Sequence, residues 1–330
     1  MAEQSWNGRR VLVTGAGGFI GSHLVEQLTE AGALVRAFVR YNSLGSWGWL
    51  DSSRVKKEIE VLAGDVRDRD SVQGATEGIE VLFHLAALVG IPYSYYSPGS
   101  YVSTNIMGTL NVLQSARNSG VHLVVHTSTS EVYGTARYCP IDEDHPVQGQ
   151  SPYSASKIAA DKMAESFNLS FDFPVITVRP FNAFGPRQSA RAVIPTIITQ
   201  SLTSAKVSLG SLTPTRDFTF VRDTANSFLK AASDPNAVGQ VINIGNGLEI
   251  SIGDLAAKIA SLLGRNVEIT STNERTRPDK SEVMRLCADC SKAHRLIGWH
   301  PKVSLEAGLE ETIRWIQDNM ESYRPDVYTI

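Results

Sequence analysis

Tyr153 and Lys157 stand four residues apart at the start of a helix predicted over Ser154 to Phe171, so a phenol and an ammonium share one helix face. A nearby positive charge lowers a phenol's pKa, which suits Tyr153 to accept a proton from a substrate hydroxyl, with Lys157 as its partner. Upstream, Thr129 offers a hydroxyl, Ser130 a second one and Glu131 a carboxylate base. They follow a predicted strand, Leu123 to Ser128, and open α/β sheets gather their ligands at the carboxyl ends of strands. Alone, Y-x-x-x-K is a common surface pair, the hydroxyls are turn formers and Glu131 is a surface carboxylate or helix cap. What precedes them in the chain gives them weight.

That preceding feature is Gly15-Ala-Gly-Gly18-Phe-Ile-Gly21, directly after the apolar run Val11 to Thr14 and directly before a predicted helix, Ser22 to Ala31. Glycines at 15, 18 and 21 serve a tight turn, close backbone approach to a pyrophosphate and helix–strand packing. The helix N-terminus then faces the anion, with Phe19 and Ile20 in its opening turn. The strand–turn–helix context makes this a dinucleotide loop rather than a simple turn. Arg40 ends the second predicted strand, Leu34 to Val39, where an acid would select NAD. A guanidinium there favours a 2′-phosphate, hence NADP, or is a solvated arginine in an enzyme that uses NAD. Asp65 and Val66, after the third strand, are placed to meet the adenine edge.

The supporting elements alternate. Predicted strands at Ile59–Ala63, Val81–Leu85 and Val175–Arg179 continue the series, with a helix over Asn105–Ser119. Alternation of this kind implies right-handed crossovers and a parallel sheet covered on both faces. After Pro180 turn residues multiply, and helices near Ile194–Leu202, Thr224–Ala232, Ile252–Leu263 and Leu305–Met320 are separated by short strands such as Val241–Ile244. The composition fits a soluble globular chain: 330 residues, 42% hydrophobic, 20% charged, net charge −3. That balance argues against a nucleic-acid binder. No run reaches the ~18 apolar residues of a membrane span, and Met1 to Arg10 lacks an apolar signal core, so the expected setting is cytoplasmic. Cys287-x-x-Cys290 and the isolated Cys139 do not make a zinc site, because two further ligands at matching spacing are missing; an ordinary reduced pair is expected, and no metal.

In combination, the glycine loop, His84-Leu-Ala-Ala87, Ser128-Thr-Ser-Glu-Val-Tyr-Gly134, Tyr153 with Lys157, Arg179-Pro-Phe-Asn182-x-x-Gly-Pro186 and Arg216-Asp-Phe218 resemble the extended short-chain dehydrogenase/reductases that act on nucleotide sugars. The resemblance runs from Gly15 to about Trp299. It implies a Rossmann doubly wound parallel sheet over 1–180, with a returning segment near 218–250, and a smaller mixed α/β lobe over 181–330 for the nucleotide sugar. It also implies tightly bound NAD or NADP, with Ala86 and Ala87 beside it, and a homodimer or tetramer paired through the helices after Asn105 and Tyr153.

Within that family the Ser128–Gly134 segment is similar to the sugar-nucleotide 4,6-dehydratases. This implies Tyr153 as the base at the 4-hydroxyl, Thr129 as hydrogen bonder to the 4-oxygen and Glu131 as the carbon-5 base. Ser130 stands where glucose-type dehydratases carry an aspartic acid for the leaving hydroxyl; GDP-mannose dehydratases resemble this chain there and at Arg40. A serine is too weak an acid, so Glu131 is expected to relay its proton to that hydroxyl. Gly149 to Lys157 and Gly185 to Ala192 are similar to dehydratases of legionaminic-acid and related pathways, which act on UDP- or GDP-linked N-acetylglucosamine.

For the substrate, Asn182 offers an amide to a pyrophosphate, and Arg187, Arg191, Arg216 and Arg277 are the cations expected near it. Arg216 and Arg277 match family positions; Arg187 and Arg191 are otherwise exposed loop arginines. Thr213 to Phe218 is the strand expected beside the base. Tyr95, with Tyr93 and Tyr96, lines the sugar pocket or, for Tyr93, packs between lobes. Trp47 and Trp49 form a flap or a subunit contact, and His84 is a core histidine rather than a ligand. The rival readings are a 4-epimerase, which needs no carbon-5 base, a 5,6-dehydratase, and a non-catalytic dinucleotide binder.

Overall fold

The computed structural model describes residues 6–323. The first half builds β1 (Arg10–Thr14), α1 (Phe19–Glu30), β2 (Leu34–Arg40), β3 (Glu60–Gly64), α2 (Arg69–Thr76), β4 (Val81–His84), α3 (Ile91–Tyr96), α4 (Pro98–Tyr101), α5 (Gly108–Asn118), β5 (Leu123–Thr127), α6 (Pro152–Phe171) and β6 (Val175–Pro180). The second half builds β7 (Asn182–Phe184), α7 (Val193–Thr203), β8 (Lys206–Leu209), β9 (Thr215–Phe220), α8 (Val221–Ser233), β10 (Val241–Ile244), β11 (Glu249–Ser251), α9 (Ile252–Leu262), β12 (Glu268–Ser271), α10 (Ser291–Ile297) and α11 (Leu305–Asp318).

Seven strands form one parallel sheet in the order β10-β6-β5-β4-β1-β2-β3. The winding reverses between β1 and β4, which is the switch point of a doubly wound α/β fold. Successive side chains of β1 serve opposite faces. Val11 and Val13 pack with Leu24 and Leu28 of α1 and Phe228 of α8, whereas Leu12 packs with Val112 of α5 and Phe167 of α6. Burying each such side chain contributes about 1.5–3 kcal/mol. The chain returns to this sheet through α8 and β10, and Val283, Leu286, Ala293 and Trp299 join the same core.

The lobe beside it holds two small sheets, β11-β9-β7 and β12-β8. Its separate core gathers Phe184, Ile197, Phe220, Leu255 and Ile313. β9 thus belongs to the lobe, and the chain crosses back to the large sheet directly after it.

Predicted helices near the site differ in detail. α1 starts at Phe19 rather than Ser22, because Gly18 already serves as its N-cap. The helix expected from Asn105 is broken: a π-helical turn, Val102–Met107, precedes α5. The bulge puts Asn105 where its amide binds both Leu88 (Oδ1 from Leu88 N, 2.8 Å; Nδ2 to Leu88 O, 3.0 Å) and Ser156 Oγ (2.9 Å). It ties the strand β4 exit to α6. Insertion of this kind is common at functional sites.

Asp223, buried in the first turn of α8, accepts from Lys302 N and Val303 N at 2.8 Å each, and its carbonyl receives Trp299 Nε1. The substitution Asp223→Ala strands two amides, each unsatisfied buried donor costing about 1–3 kcal/mol. Urea unfolding of Asp223→Ala is therefore expected to show a loss of at least about 2 kcal/mol; a shift near zero would mean that water replaces the carboxylate.

Candidate active site

Gly15 sits at the switch point with φ +70°, and a Cβ there would lie 2.8 Å from Ala86 N at the exit of β4. Thr14 holds that exit: its Oγ1 accepts from Leu85 N and Ala86 N at 3.2 Å and bonds His84 Nδ1 at 2.8 Å. His84 Nε2 meets Thr109 Oγ1 at 3.0 Å, and burial lowers its pKa, so it is a neutral core histidine as expected. The opening turn of α1, Gly18 to Gly21, lines the cleft and carries no side-chain cap, which leaves backbone amides for an anion. Cradle and helix end together fit a dinucleotide pyrophosphate.

Trp47 and Trp49 are a fixed strap over this loop. A Cβ on Gly17 would collide with Trp47 O, one on Gly48 with Gly17 O, and Trp49 N donates to Gly17 O at 3.0 Å. Trp49 meets Trp315 of α11 edge-on at 5.1 Å, so the strap also touches the lobe.

The cleft has a volume of about 1590 Å³ and runs from Arg40, Asp65 and Val66, past Ala86 and Ala87, to Tyr95, Asn182, Arg191, Arg216 and Arg277. Thr129, Glu131, Tyr153 and Lys157 line its middle. Asp65 is held by Arg67 at 2.5 Å, which keeps its carboxyl below the usual range. Tyr95 Oη bonds Ser281 Oγ at 2.6 Å, joining α3 to the lobe. Asn182 lines the cleft, and its Oδ1 is buried without a hydrogen-bond partner.

Tyr153, Lys157 and Asp161 follow one face of α6 at intervals of four. Burial pushes the Tyr153 phenol above its ordinary value; the Thr129 hydroxyl opposes this and the Glu131 carboxylate adds to it. Lys157 does not act on the phenol here. Its Nζ donates to Thr127 O at 2.5 Å, and burial lowers its pKa to about 8 against the pull of Asp161. The expectation that lysine depresses the phenol therefore gives way to desolvation in this arrangement.

Two further expectations change. Arg187 is outside the cleft. It adopts φ +71° after Gly185 and Pro186, and its guanidinium bonds Ser22 Oγ (3.2 Å) and Glu26 Oε1 (2.8 Å) on α1. Burial alone would raise the Glu26 carboxyl, but Arg187 and Ser53 outweigh it and hold it low. Arg187 thus staples the lobe entrance to α1. Ser130 is buried but does not line the cleft. Ser130–Tyr133 is a 3₁₀ turn, in which neighbours sit a third of a turn apart, and Thr129 and Glu131 take the cleft side.

Sequence reasoning missed Glu282, which faces both Arg216 (3.3 Å) and Arg277 (3.5 Å). Its spacing of five and sixty-six residues from them carries no local signal. Burial lowers Arg216, and Glu131 is the largest counterweight. Cys290 Sγ donates to Gly245 O at 3.2 Å, and among the described residues no group of His, Cys, Asp or Glu is arranged to hold a metal. No helix among them is long and apolar enough to cross a membrane.

This geometry agrees with the relatives. The family model for GDP-mannose 4,6 dehydratase matches residues 12–312. The chain belongs to the extended nucleotide-sugar dehydratase and epimerase family. It is 33% identical to a UDP-glucose 4-epimerase of Mycolicibacterium smegmatis, over 94% of this chain and all of the relative. It is 30% identical to the human dTDP-D-glucose 4,6-dehydratase, over 96% and 92%. A crystal structure of a dTDP-glucose 4,6-dehydratase from Streptomyces venezuelae, with NAD bound, superposes with TM-score 0.87 at 28% identity, covering 96% of this chain and 99% of that one.

The Lys157 value gives a pH prediction for this family site. The free side chain titrates at 10.5 and the folded one at about 8, so between them the unfolded chain binds more protons. The contribution of Lys157 to stability therefore grows as pH rises from about 8 to 10.5, while the cleft wall loses the Lys157 charge that a bound anionic cofactor would meet. Over that range kcat/KM is expected to fall, while the stability of wild type relative to Lys157→Met rises. Activity level to pH 10 would remove the need for a charged Lys157.

Proposed function

We propose that this protein is a nucleotide-sugar 4,6-dehydratase, with UDP- or GDP-N-acetylglucosamine as substrate and NAD or NADP as cofactor. The observation that supports it most is Glu131, a 9% exposed carboxylate on the cleft wall, two residues from Thr129 and electrostatically coupled to Tyr153 and Arg216. A buried carboxylate is costly unless it is paired or used.

A nicotinamide dinucleotide, when bound, would supply the hydride exchange between carbon 4 and carbon 6. Gly15, Gly18, Phe19, Ile20 and Gly21 would hold its pyrophosphate, and Arg40, Asp65 and Val66 its adenosine end. Tyr153 takes the proton of the 4-hydroxyl, and Thr129 hydrogen-bonds the 4-oxygen as it becomes a ketone. That ketone acidifies the carbon-5 hydrogen, which Glu131 removes. The carbon-6 hydroxyl leaves as water with the proton that Glu131 holds, and a proton returns to carbon 5, closing the balance. Ser130, away from the cleft, takes no part in this scheme, so the relay falls to Glu131 alone. Arg216, Arg277, Arg191 and Asn182 would meet the diphosphate: two carboxylates, Glu131 and Glu282, against three guanidiniums leave net positive charge.

The same reading carries a homodimer paired through the helices that follow Asn105 and Tyr153. Val102 and Met107, half exposed at the two ends of the π-helical turn that leads into the first of these, favour it. A second reading, a 4-epimerase, is favoured by the 33% identical relative. It uses Tyr153, Lys157 and Thr129 and leaves Glu131 without a task.

Product mass from UDP- and GDP-N-acetylglucosamine in deuterated water, with NAD or NADP, separates the two. The dehydratase product is expected to lose water and carry deuterium at carbon 5. An isomer of unchanged mass would establish the epimerase instead. In Glu131→Gln, carbon-5 deuteration is expected to fall about 100-fold or more, within the usual range for a lost general base; wild-type deuteration would take the base role from Glu131.

A further inference from the structure

Below the cleft lies a buried polar chain that the proposed chemistry does not use. Asp161, 5% exposed, accepts from His126 Nε2 (3.0 Å), Ser128 Oγ (2.6 Å) and Arg179 Nε and Nη2 (3.2 and 3.0 Å). Burial alone would raise this carboxyl, but His126 and Arg179 outweigh it and hold it low. Arg179 extends its other arm, Nη1, to the Tyr133 hydroxyl at 3.0 Å. Tyr133 in turn donates to Asn243 Oδ1 at 2.7 Å, and Asn243 is fixed by Ile141 O and by Glu143, which accepts from its backbone N–H at 2.8 Å.

The two attachment points are what matter. Ser128 immediately precedes Thr129, and Tyr133 follows Glu131 by two residues. One ion pair therefore grips both ends of the turn that presents Thr129 and Glu131 to the cleft. The anchor, Asp161, lies two turns along the helix that carries Tyr153. The register of the turn against Tyr153 is thus set within a single rigid element.

We infer that the Asp161–Arg179–Tyr133 chain is a bracket that holds Thr129 and Glu131 in reacting register with Tyr153, and that Tyr133 is a positioning residue for the reaction. The inference rests on the reading of Thr129 and Glu131 given above. Buried ion pairs often stabilise no better than apolar packing, so their retention in this chain is better explained by the geometry they impose. Tyr133 itself is packed for a fixed position: its ring meets His145 edge-on at 5.5 Å and Phe181 at 6.4 Å, with the Arg179 guanidinium 5.0 Å from its centroid.

Tyr133→Phe tests this in the full-length holoenzyme, because it removes one hydroxyl and keeps every ring contact. A misplacement of about 1 Å costs on the order of 100-fold in rate. The expected result is a kcat lower by about 10- to 100-fold, with KM and retained dinucleotide close to wild type, and a thermal midpoint lowered by the two buried groups that lose their partner, Arg179 Nη1 and Asn243 Oδ1. Arg179→Lys, which keeps a cation beside Asp161 but loses the arm to Tyr133, is expected to reproduce the kcat-selective loss and serves if the first variant does not fold. An unchanged kcat, or losses of kcat and retained dinucleotide in parallel, would overturn the bracket and leave a purely structural network. The wild-type product is identified first. If it is an epimer, the dehydratase reading fails, and the same kcat-against-KM comparison is made on epimerisation, where Thr129 remains to be positioned.

Discussion

The crevice between β1 and β4 is the constraint on which the rest of the molecule depends. At that point the chain leaves neighbouring parallel strands in opposite directions, so two backbones diverge and a gap opens at their carboxyl ends. Gly15 and Ala86 mark its two sides, too close for any Cβ at residue 15. Thr14 and His84 fasten them, and Thr109 and Asn105 carry the fastening into α5, the π-helical turn and α6. The cofactor cradle and the helix with Tyr153 and Lys157 are therefore parts of one hydrogen-bonded frame. The smaller lobe is attached to that frame by Arg187 on Glu26, by Trp49 on Trp315 and by Tyr95 on Ser281.

What could be read beforehand follows from how local the signals are. The glycine loop, the short apolar runs of β1 to β6 and the spacing of Tyr153 and Lys157 are short-range patterns, and each describes the element it sits in. The lobe strands β7, β8, β11 and β12 span only three or four residues each, too few for a period to show. Arg187 and Arg191 stood as equals in the sequence, since both follow Gly185-Pro186 and both carry the same charge. They part only because Arg187 takes a left-handed backbone and finds Glu26, 161 residues away. Asp161 was within reach as the third member of the Tyr153–Lys157 face, but its partners come from β5 and β6, and that adjacency is a property of the sheet order.

Electrostatics in the cleft are set by shortage. The chain as a whole is slightly acidic, with 34 carboxylates against 31 Lys and Arg. Outside the cleft, Arg187 is matched by Glu26 and Arg179 by Asp161. Within the cleft, Glu282 must serve both Arg216 and Arg277. Undivided positive charge next to low-dielectric walls attracts a dianionic diphosphate far more strongly than the net charge of the chain would suggest.

The same walls bear on the proton chemistry. Tyr153, Lys157, Glu131 and Arg216 are all nearly out of water. Desolvation lifts the phenol and lowers the ammonium, so each neutral form is favoured and neither group is poised by burial alone. In this medium a neighbouring charge or hydrogen bond acts more strongly than in water, and a small change of distance becomes a large change of acidity. The Thr129 hydroxyl opposes the rise of the Tyr153 phenol, whereas Glu131 adds to it. Their separations from the ring must therefore be held closely for the phenol to be useful at neutral pH. A turn free to drift would lose that setting before it lost its fold, which is why a costly buried ion pair at both of its ends is a reasonable thing for this chain to keep.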